Sequence, residues 1–226
     1  MNVDQAVIVC GGKGSRIEPH FPGLAKSCIP INGKKFITYQ INWLIAGGIS
    51  NIHLCLGFRS HQVISAIVLF QKENPGILSF TTSFDNPLQG VGGAVKNAIN
   101  KNSESFVFMY GDVLPRFSCS YIVSEYKGFP IFSATLKKNS AERPNLKVEH
   151  DSKRVVDYQA SGSTHIEAGC MIFPSSITEC IPKGVQFDES ELYPVIIDKM
   201  ECSAMECEAS FEIGSMGGIA KMKAEL

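Results

Sequence analysis

The 226-residue sequence has no excess of either charge sign: 21 Lys and Arg stand against 22 Asp and Glu, for a formal net charge of −1. Without a basic surplus there is no electrostatic footprint for nucleic acid, and without an acidic tail there is no charged scaffold. Any anion the chain binds must therefore be held by locally placed cations. No apolar stretch approaches the ~18 uninterrupted residues that a membrane helix requires, so no membrane partner is expected. The stretch "MNVDQAVIVC" lacks a cationic segment ahead of a long apolar one, which argues against a signal peptide. Among eight cysteines there is no C-x-x-C pair, and the close pair Cys202 and Cys207 has no matching histidines nearby. A zinc or disulfide framework is thus disfavoured, and reduced cysteines in a cytoplasmic protein are expected. With no proline-rich linker and no internal repeat, residues 1–226 read as a single domain.

What is present is an ordinary globular composition, 44% hydrophobic and 19% charged, sufficient for a sizeable core. The run Ala6 to Cys10 is apolar throughout and ends at Gly11-Gly12, the pattern of a buried parallel strand. Ile37, Ile41, Leu44 and Ile45 then recur at helical spacing, and Gly47-Gly48 closes that helix. "NIHLCLG" reads as a strand. "SHQVISAIVLF" reads as a helix capped by Ser60, with Val63, Ile64, Ile67 and Val68 on its inner face. "ILSFTT", "GGAVKNAIN" and "SFVFMYGD" repeat the alternation of strand and helix.

This order over residues 1–112 predicts an α/β, Rossmann-like fold with a mostly parallel central sheet flanked by helices. From 113 to 226 the pattern shifts to an α+β half, with strands in "IFSATL", "NLKVEH", "RVVDYQ" and "HIEAGCMIF". Helices are expected near 190–199 and after Gly214. In parallel sheets ligands sit beyond the carboxyl ends of the strands. Two such ends are "GGKGSR" and Gly111-Asp112.

The first of these is neither a dinucleotide fingerprint, since Ile17 stands where G-x-G-x-x-G needs glycine, nor a Walker loop. Gly11-Gly12-Lys13-Gly14-Ser15-Arg16, then Ala25-Lys26 and "IPINGKKFI", resembles the signature of the sugar-1-phosphate nucleotidyltransferases, G-G-x-G-x-R followed by P-K and a hairpin. "GVGGAVKNAI", "FVFMYGD", "EAGCMIF", "FDESELYPVII" and "FEIGSMGGIAKMK" resemble further segments of that family in the same order. The length is similar to that of its short single-domain bacterial members, such as the heptose and mannose 1-phosphate guanylyltransferases.

The resemblance implies a GT-A-like nucleotidyltransferase fold, with a nucleotide-binding half over about 1–112 and a sugar-phosphate-binding half over about 113–226. It implies transfer of NMP from an NTP to a sugar 1-phosphate, yielding an NDP-sugar for surface-polysaccharide synthesis and pyrophosphate. GTP with a heptose or hexose 1-phosphate is the leading substrate pair. The attacking phosphate is already anionic, so positioning and charge neutralisation should dominate catalysis rather than a strong base.

Glycines admit phosphates close to backbone N–H groups. Cys10, Gly11, Gly12, Lys13, Gly14 and Ser15, with Gln89, Gly92 and Gly93, are therefore the expected nucleotide-binding residues. Arg16 would hold the leaving pyrophosphate, and Lys26 would sit between the α-phosphate and the acceptor phosphate. Mg²⁺ commonly takes one or two carboxylates besides phosphates; Asp112 is the catalytic candidate for it, with Glu212 as the second ligand. Glu167 and Gly169 are the expected sugar contacts.

Several positions depart from the family pattern. Ala25 replaces a proline, Val91 a threonine, Tyr110 an asparagine and Glu212 an aspartate. Gln159-Ala160 stand where an E-K commonly supplies a lysine to the sugar phosphate, leaving Lys26, Arg143 or Lys147 to take that charge. Two alternatives stay open: a nucleotide-binding relative with little turnover, and a cofactor nucleotidyltransferase similar to the molybdopterin guanylyltransferases. The sequence also leaves open whether the chain forms a homo-oligomer.

Overall fold

A computed structural model describes residues 3–84, 90–99, 103–136, 143–182 and 186–226. The chain begins with strand β1 (Val3–Val9), then forms a 3₁₀ turn (Lys26–Cys28) and a hairpin of β2 (Pro30–Ile31) and β3 (Lys34–Lys35). Asn32 and Gly33 turn that hairpin with φ of 44° and 82°, the left-handed pair that an Asn-Gly turn supplies. Next come α1 (Phe36–Ala46), β4 (Asn51–Leu56), α2 (Ser60–Glu73), β5 (Ser79–Phe84), α3 (Gly90–Ala98) and β6 (Ser105–Tyr110). The second half runs β7 (Val113–Leu114), α4 (Cys119–Glu125), β8 (Ile131–Leu136), β9 (Leu146–Val148), β10 (Val155–Tyr158) and β11 (His165–Pro174). After a second 3₁₀ segment it closes with α5 (Glu189–Lys199), β12 (Ser203–Glu206), β13 (Phe211–Glu212) and α6 (Met216–Glu225).

Among the described residues nine strands form one sheet, in which β5, β4, β1 and β6 are parallel neighbours. β11 joins β6 antiparallel and carries the second half onto the same sheet. Side-chain alternation explains the layers. Ile8 of β1 faces α1 and α2, packing with Ile41, Leu44, Val63 and Ile67, whereas Val7 faces α3 and α5 with Val95, Leu192 and Tyr193. The sheet is therefore covered on both faces, as the alternating apolar runs require.

Two local expectations differ. Ser60 is not the cap of α2 but its first residue; the cap is Arg59, in the left-handed conformation at φ 56° and without a side-chain cap bond. The buried stripe of α2 is Val63, Ala66, Ile67 and Phe70, while Val68 is exposed. Positions i, i+3, i+4 and i+7 from Val63 share a face, and Val68 lies off it. A third, smaller cluster joins Ile17, Ile29, Ile31 and Phe36 to Leu114, Phe211, Ile213 and Ile219. It docks the hairpin against the last sixteen residues and so brings the end of the chain to the glycine-rich loop after β1.

Candidate active site

The carboxyl ends of β1 and β6 open into a cleft of about 250 Å³. Its walls are Val9, Cys10, Gly12 and Gly14 from the β1 exit, Lys26 and Ser27 from the 3₁₀ turn, Tyr110, Gly111 and Asp112 from the β6 exit, Val91 from α3 and Glu189 from α5. Lys26 is the cation among these lining residues, and its ammonium donates to the Asp112 carboxylate. Arg16 comes in from the exposed side of the loop. All three meet at Gly214, where a side-chain carbon would lie 3.5 Å from Lys26 Nζ, 3.7 Å from Arg16 Nη2 and 3.8 Å from Asp112 Oδ2. Residues 16, 26 and 112 thus converge on one point, beside a glycine from the far end of the chain.

That convergence has a backbone cause. β13 pairs antiparallel with β7, setting Glu212 opposite Val113, and Ile213 N–H donates to the Asp112 carbonyl at 3.0 Å. The Gly111-Asp112 turn is gripped from beneath as well. Gln40, fully buried on α1, donates to the carbonyls of Tyr110 at 2.8 Å and Val113 at 2.7 Å, while Ser27 Oγ donates to Gly111 O at 3.0 Å. These bonds order the turn without involving the Asp112 side chain, whose carboxylate is held by Lys26 instead. Gln40 was detectable as the one polar residue inside the Ile37–Ile41–Leu44 stripe.

The glycines divide by role. Gly14, at φ 63°, turns the loop, and its carbonyl accepts from Ile17 and Glu18. Gly12 borders the cleft with open space over it. Gly11 is buried against Gly57, where an added side-chain carbon would lie 3.3 Å from the Gly57 nitrogen, so its bareness lets the β1 and β4 exits touch. The space over Gly92 is filled by Phe187, whose carbonyl accepts the Gly92 N–H at 2.7 Å; the neighbouring Gly93 is buried. Lys13 and Ser15 are exposed on the loop outside the cleft walls. Gln89 lies outside the described residues.

In the second half of the chain, β11 carries a register shift between Glu167 and Met171, and Gly169 occupies it at φ 83° with Val113 pressed against its open face. The bulge folds the Gly169 N–H back onto the Glu167 carboxylate. Glu167 is pushed up to about 8, chiefly by burial, with Glu212, Glu189 and Asp112 adding repulsion against the Gly169 bond that opposes it. Beside it, Tyr110 and Tyr193 share a hydroxyl–hydroxyl bond of 2.6 Å, and burial holds both phenols well above their ordinary range. Gln159 is exposed at φ 58°, and Arg143 and Lys147 are exposed too.

The Glu167 environment has a sign that can be checked. An unfolded carboxyl ionises near 4.5, whereas the folded one holds its proton to about 8. Folding is therefore unpenalised below pH 4.5, and stability is lost progressively as pH rises through 8. Glu167→Gln, which is neutral at every pH, should melt close to wild type at pH 5 in EDTA, and its advantage should grow up to pH 8 and then level. Parallel melting curves across that range would contradict the assignment.

A family model described as "Nucleotidyl transferase" matches residues 5–129. The D-glycero-alpha-D-manno-heptose 1-phosphate guanylyltransferase of Aneurinibacillus thermoaerophilus is 26% identical over 230 residues, covering 98% of both chains. The mannose-1-phosphate guanyltransferase of Candida albicans is 22% identical over 219 residues, covering 90% of this chain and 59% of that protein. The chain thus spans less than two thirds of the mannose-type relatives it matches, 56% of the Mycobacterium tuberculosis protein. In structure it is similar to HddC from Yersinia pseudotuberculosis complexed with GMP-PN, at TM-score 0.79 and 24% identity over 99% of both chains. A UDP-glucose pyrophosphorylase complexed with UDP-glucose superposes at TM-score 0.82 with 15% identity, covering 99% of each chain. At these identities the structural likeness speaks for the fold alone.

Proposed function

Because the chain belongs to the nucleotidyl transferase family, we propose that it transfers a nucleoside monophosphate from an NTP to a sugar 1-phosphate. The products are an NDP-sugar and pyrophosphate. GTP and a heptose or mannose 1-phosphate are the leading substrates, supported by end-to-end similarity to the heptose enzyme. The observation that carries the reading is the convergence of Arg16, Lys26 and Asp112 at Gly214. In this reading residues 1–112 serve mainly the nucleotide and residues 113–226 mainly the acceptor, in the cytoplasm where nucleoside triphosphates are found.

The reaction forms a bond from an acceptor phosphate oxygen to the α-phosphorus and breaks the bond to the bridging oxygen of the leaving pyrophosphate. The barrier is largely the approach of anions in line. The open face of Gly12 admits phosphate against the loop. Arg16, with several donors in one plane, neutralises the leaving pyrophosphate. Lys26, already at the carboxyl end of β6, moves its charge from Asp112 to the reacting phosphates; with Ala160 in place of a lysine, it also answers the acceptor phosphate. Glu167, which keeps its proton to about 8, can donate to an acceptor hydroxyl at neutral pH.

The donor set also fits a hard divalent cation. Asp112 and Glu212 come from adjoining strand ends, both repel a third carboxylate, and Lys26 stands in for a cation on Asp112. Among the described residues no group of three or more His, Cys, Asp or Glu is arranged to hold a metal, so phosphates would complete its shell. Mg²⁺ held by Asp112 and Glu212 would supply charge neutralisation at the triphosphate.

Purified protein with Mg²⁺ should release pyrophosphate from one NTP, most rapidly GTP, when given a heptose or mannose 1-phosphate. A panel of NTPs and sugar phosphates giving no release, while NTP still raises the melting temperature, would overturn the enzymatic reading.

A further inference from the structure

The segment that delivers Lys26 is held from outside the cleft. The Ala25 N–H is buried, with Ala25 only 3% exposed, and donates to Gln62 Oε1 at 2.7 Å. The same side-chain amide donates through Nε2 to the carbonyl of Gly23 at 2.7 Å. At the start of α2, Arg59 donates through Nη1 to Leu24 O at 2.9 Å, and its Nη2 pairs with Glu18 at 3.2 Å. Residues 23, 24 and 25 are therefore gripped in succession by two side chains of one junction. That junction also holds the other end of the loop, since Phe58 N–H donates to Gly11 O at 3.0 Å. Arg59 reaches its partners from a left-handed backbone that non-glycine residues seldom adopt, so the contacts hold it there.

The conformation of Ala25 shows what this grip does. Its φ of −67° is the value a proline ring would impose without any hydrogen bond, and its ψ of 139° is extended. Alanine does not fix φ, and the turn that begins there, with Cys28 N–H on Ala25 O at 2.9 Å, sets the direction of Lys26. We infer that Gln62, backed by Arg59, is a positioning residue that fixes residue 25 and thereby aims the Lys26 ammonium at the reacting phosphates. The catalytic part of this inference rests on the nucleotidyl transfer proposed above.

The pair is reciprocal. A proline at 25 would place its ring where Gln62 Oε1 now lies 2.7 Å from the nitrogen, so ring and glutamine exclude one another. Gln62→Ala should lower kcat about tenfold, since small misplacements of a charge in the transition state are costly, with KM for the NTP within about twofold. Ala25→Pro alone should also be impaired. The Ala25→Pro/Gln62→Ala double variant should recover to within about threefold of wild type, a coupling that two independent structural defects would not give.

Amide exchange supplies a readout independent of activity. Cys28 and Ile29 N–H should exchange faster in Gln62→Ala and return towards wild type in the double variant. If Gln62→Ala does not fold, Gln62→Glu keeps the acceptor for Ala25 and loses the donor to Gly23, and a smaller loss is expected. Wild-type kcat and exchange in a folded Gln62 variant, or no recovery of either in the double variant, would overturn the inference. Should wild-type protein release no pyrophosphate, the functional proposal fails while the exchange experiment still decides the clamp.

Discussion

Asp112→Asn should reduce pyrophosphate release by about 10³-fold or more while leaving the fold intact, in line with the loss of a group that stabilises charge at the reacting centre. The substitution keeps shape and removes charge. The turn that carries the residue is held through backbone groups, by Gln40 on Tyr110 O and Val113 O, by Ser27 on Gly111 O and by Ile213 on Asp112 O. None of these depends on the carboxylate. Among the described residues the ion pair lost is with Lys26, whose side chain is 18% exposed against 28% for Asp112, and a pair this accessible contributes about 1 kcal/mol or less. A melting temperature within a few degrees of wild type, together with turnover at the detection limit, is the expected result. Undiminished turnover would remove Asp112 from the chemistry.

Gly111→Ala should act oppositely, through the fold. A side-chain carbon there would lie 2.7 Å from Cys10 Cβ and 2.8 Å from both Cys10 Cα and Val9 O. These atoms belong to the central strand and its exit, so they cannot swing aside as a flexible side chain would. Forced separation of β1 and β6 should cost about 3 kcal/mol, the upper part of the range for overpacking. For a chain of this size that lowers the melting temperature by roughly 6–12 °C. Gly12→Ala makes the contrast, since no atom lies within 4 Å of the added carbon. It should melt like wild type and, because Gly12 lines the cleft, weaken NTP binding instead. Equal melting temperatures for the two variants would contradict the packing argument.

The strand–loop unit at residues 6–16 was legible because its signals are local. An apolar run that ends at glycines needs no distant partner to be read, and the hairpin at Asn32-Gly33 and the helix ending at Gly47-Gly48 are equally short-range. The buried strand that leads to Asp112 was legible for the same reason. The Asp188–Glu191 capping box that begins α5 is an equally local signal, set within a segment whose family motif draws on the same residues. The buried stripe of α2 differs from the expected one at two positions, Ala66 and Phe70 in place of Ile64 and Val68, because Val63–Val68 offers more apolar residues than the face can hold.

The sequence by itself determined the alternation of strands and helices, the loop that would meet phosphate, and the residue types available for charge. Those follow from backbone propensity, apolar periodicity and the chemistry of glycine, arginine, lysine and aspartate. Only the tertiary structure decided how they meet. The β7–β13 pairing sets Glu212 beside Val113 and places Gly214 among Arg16, Lys26 and Asp112. Phe187 takes the space over Gly92, burial shifts Glu167, and Gln62 from a separate helix holds the residue before Lys26. Each of these is a contact between segments far apart in the chain. Its energy depends on packing and desolvation that exist only once the sheet has formed.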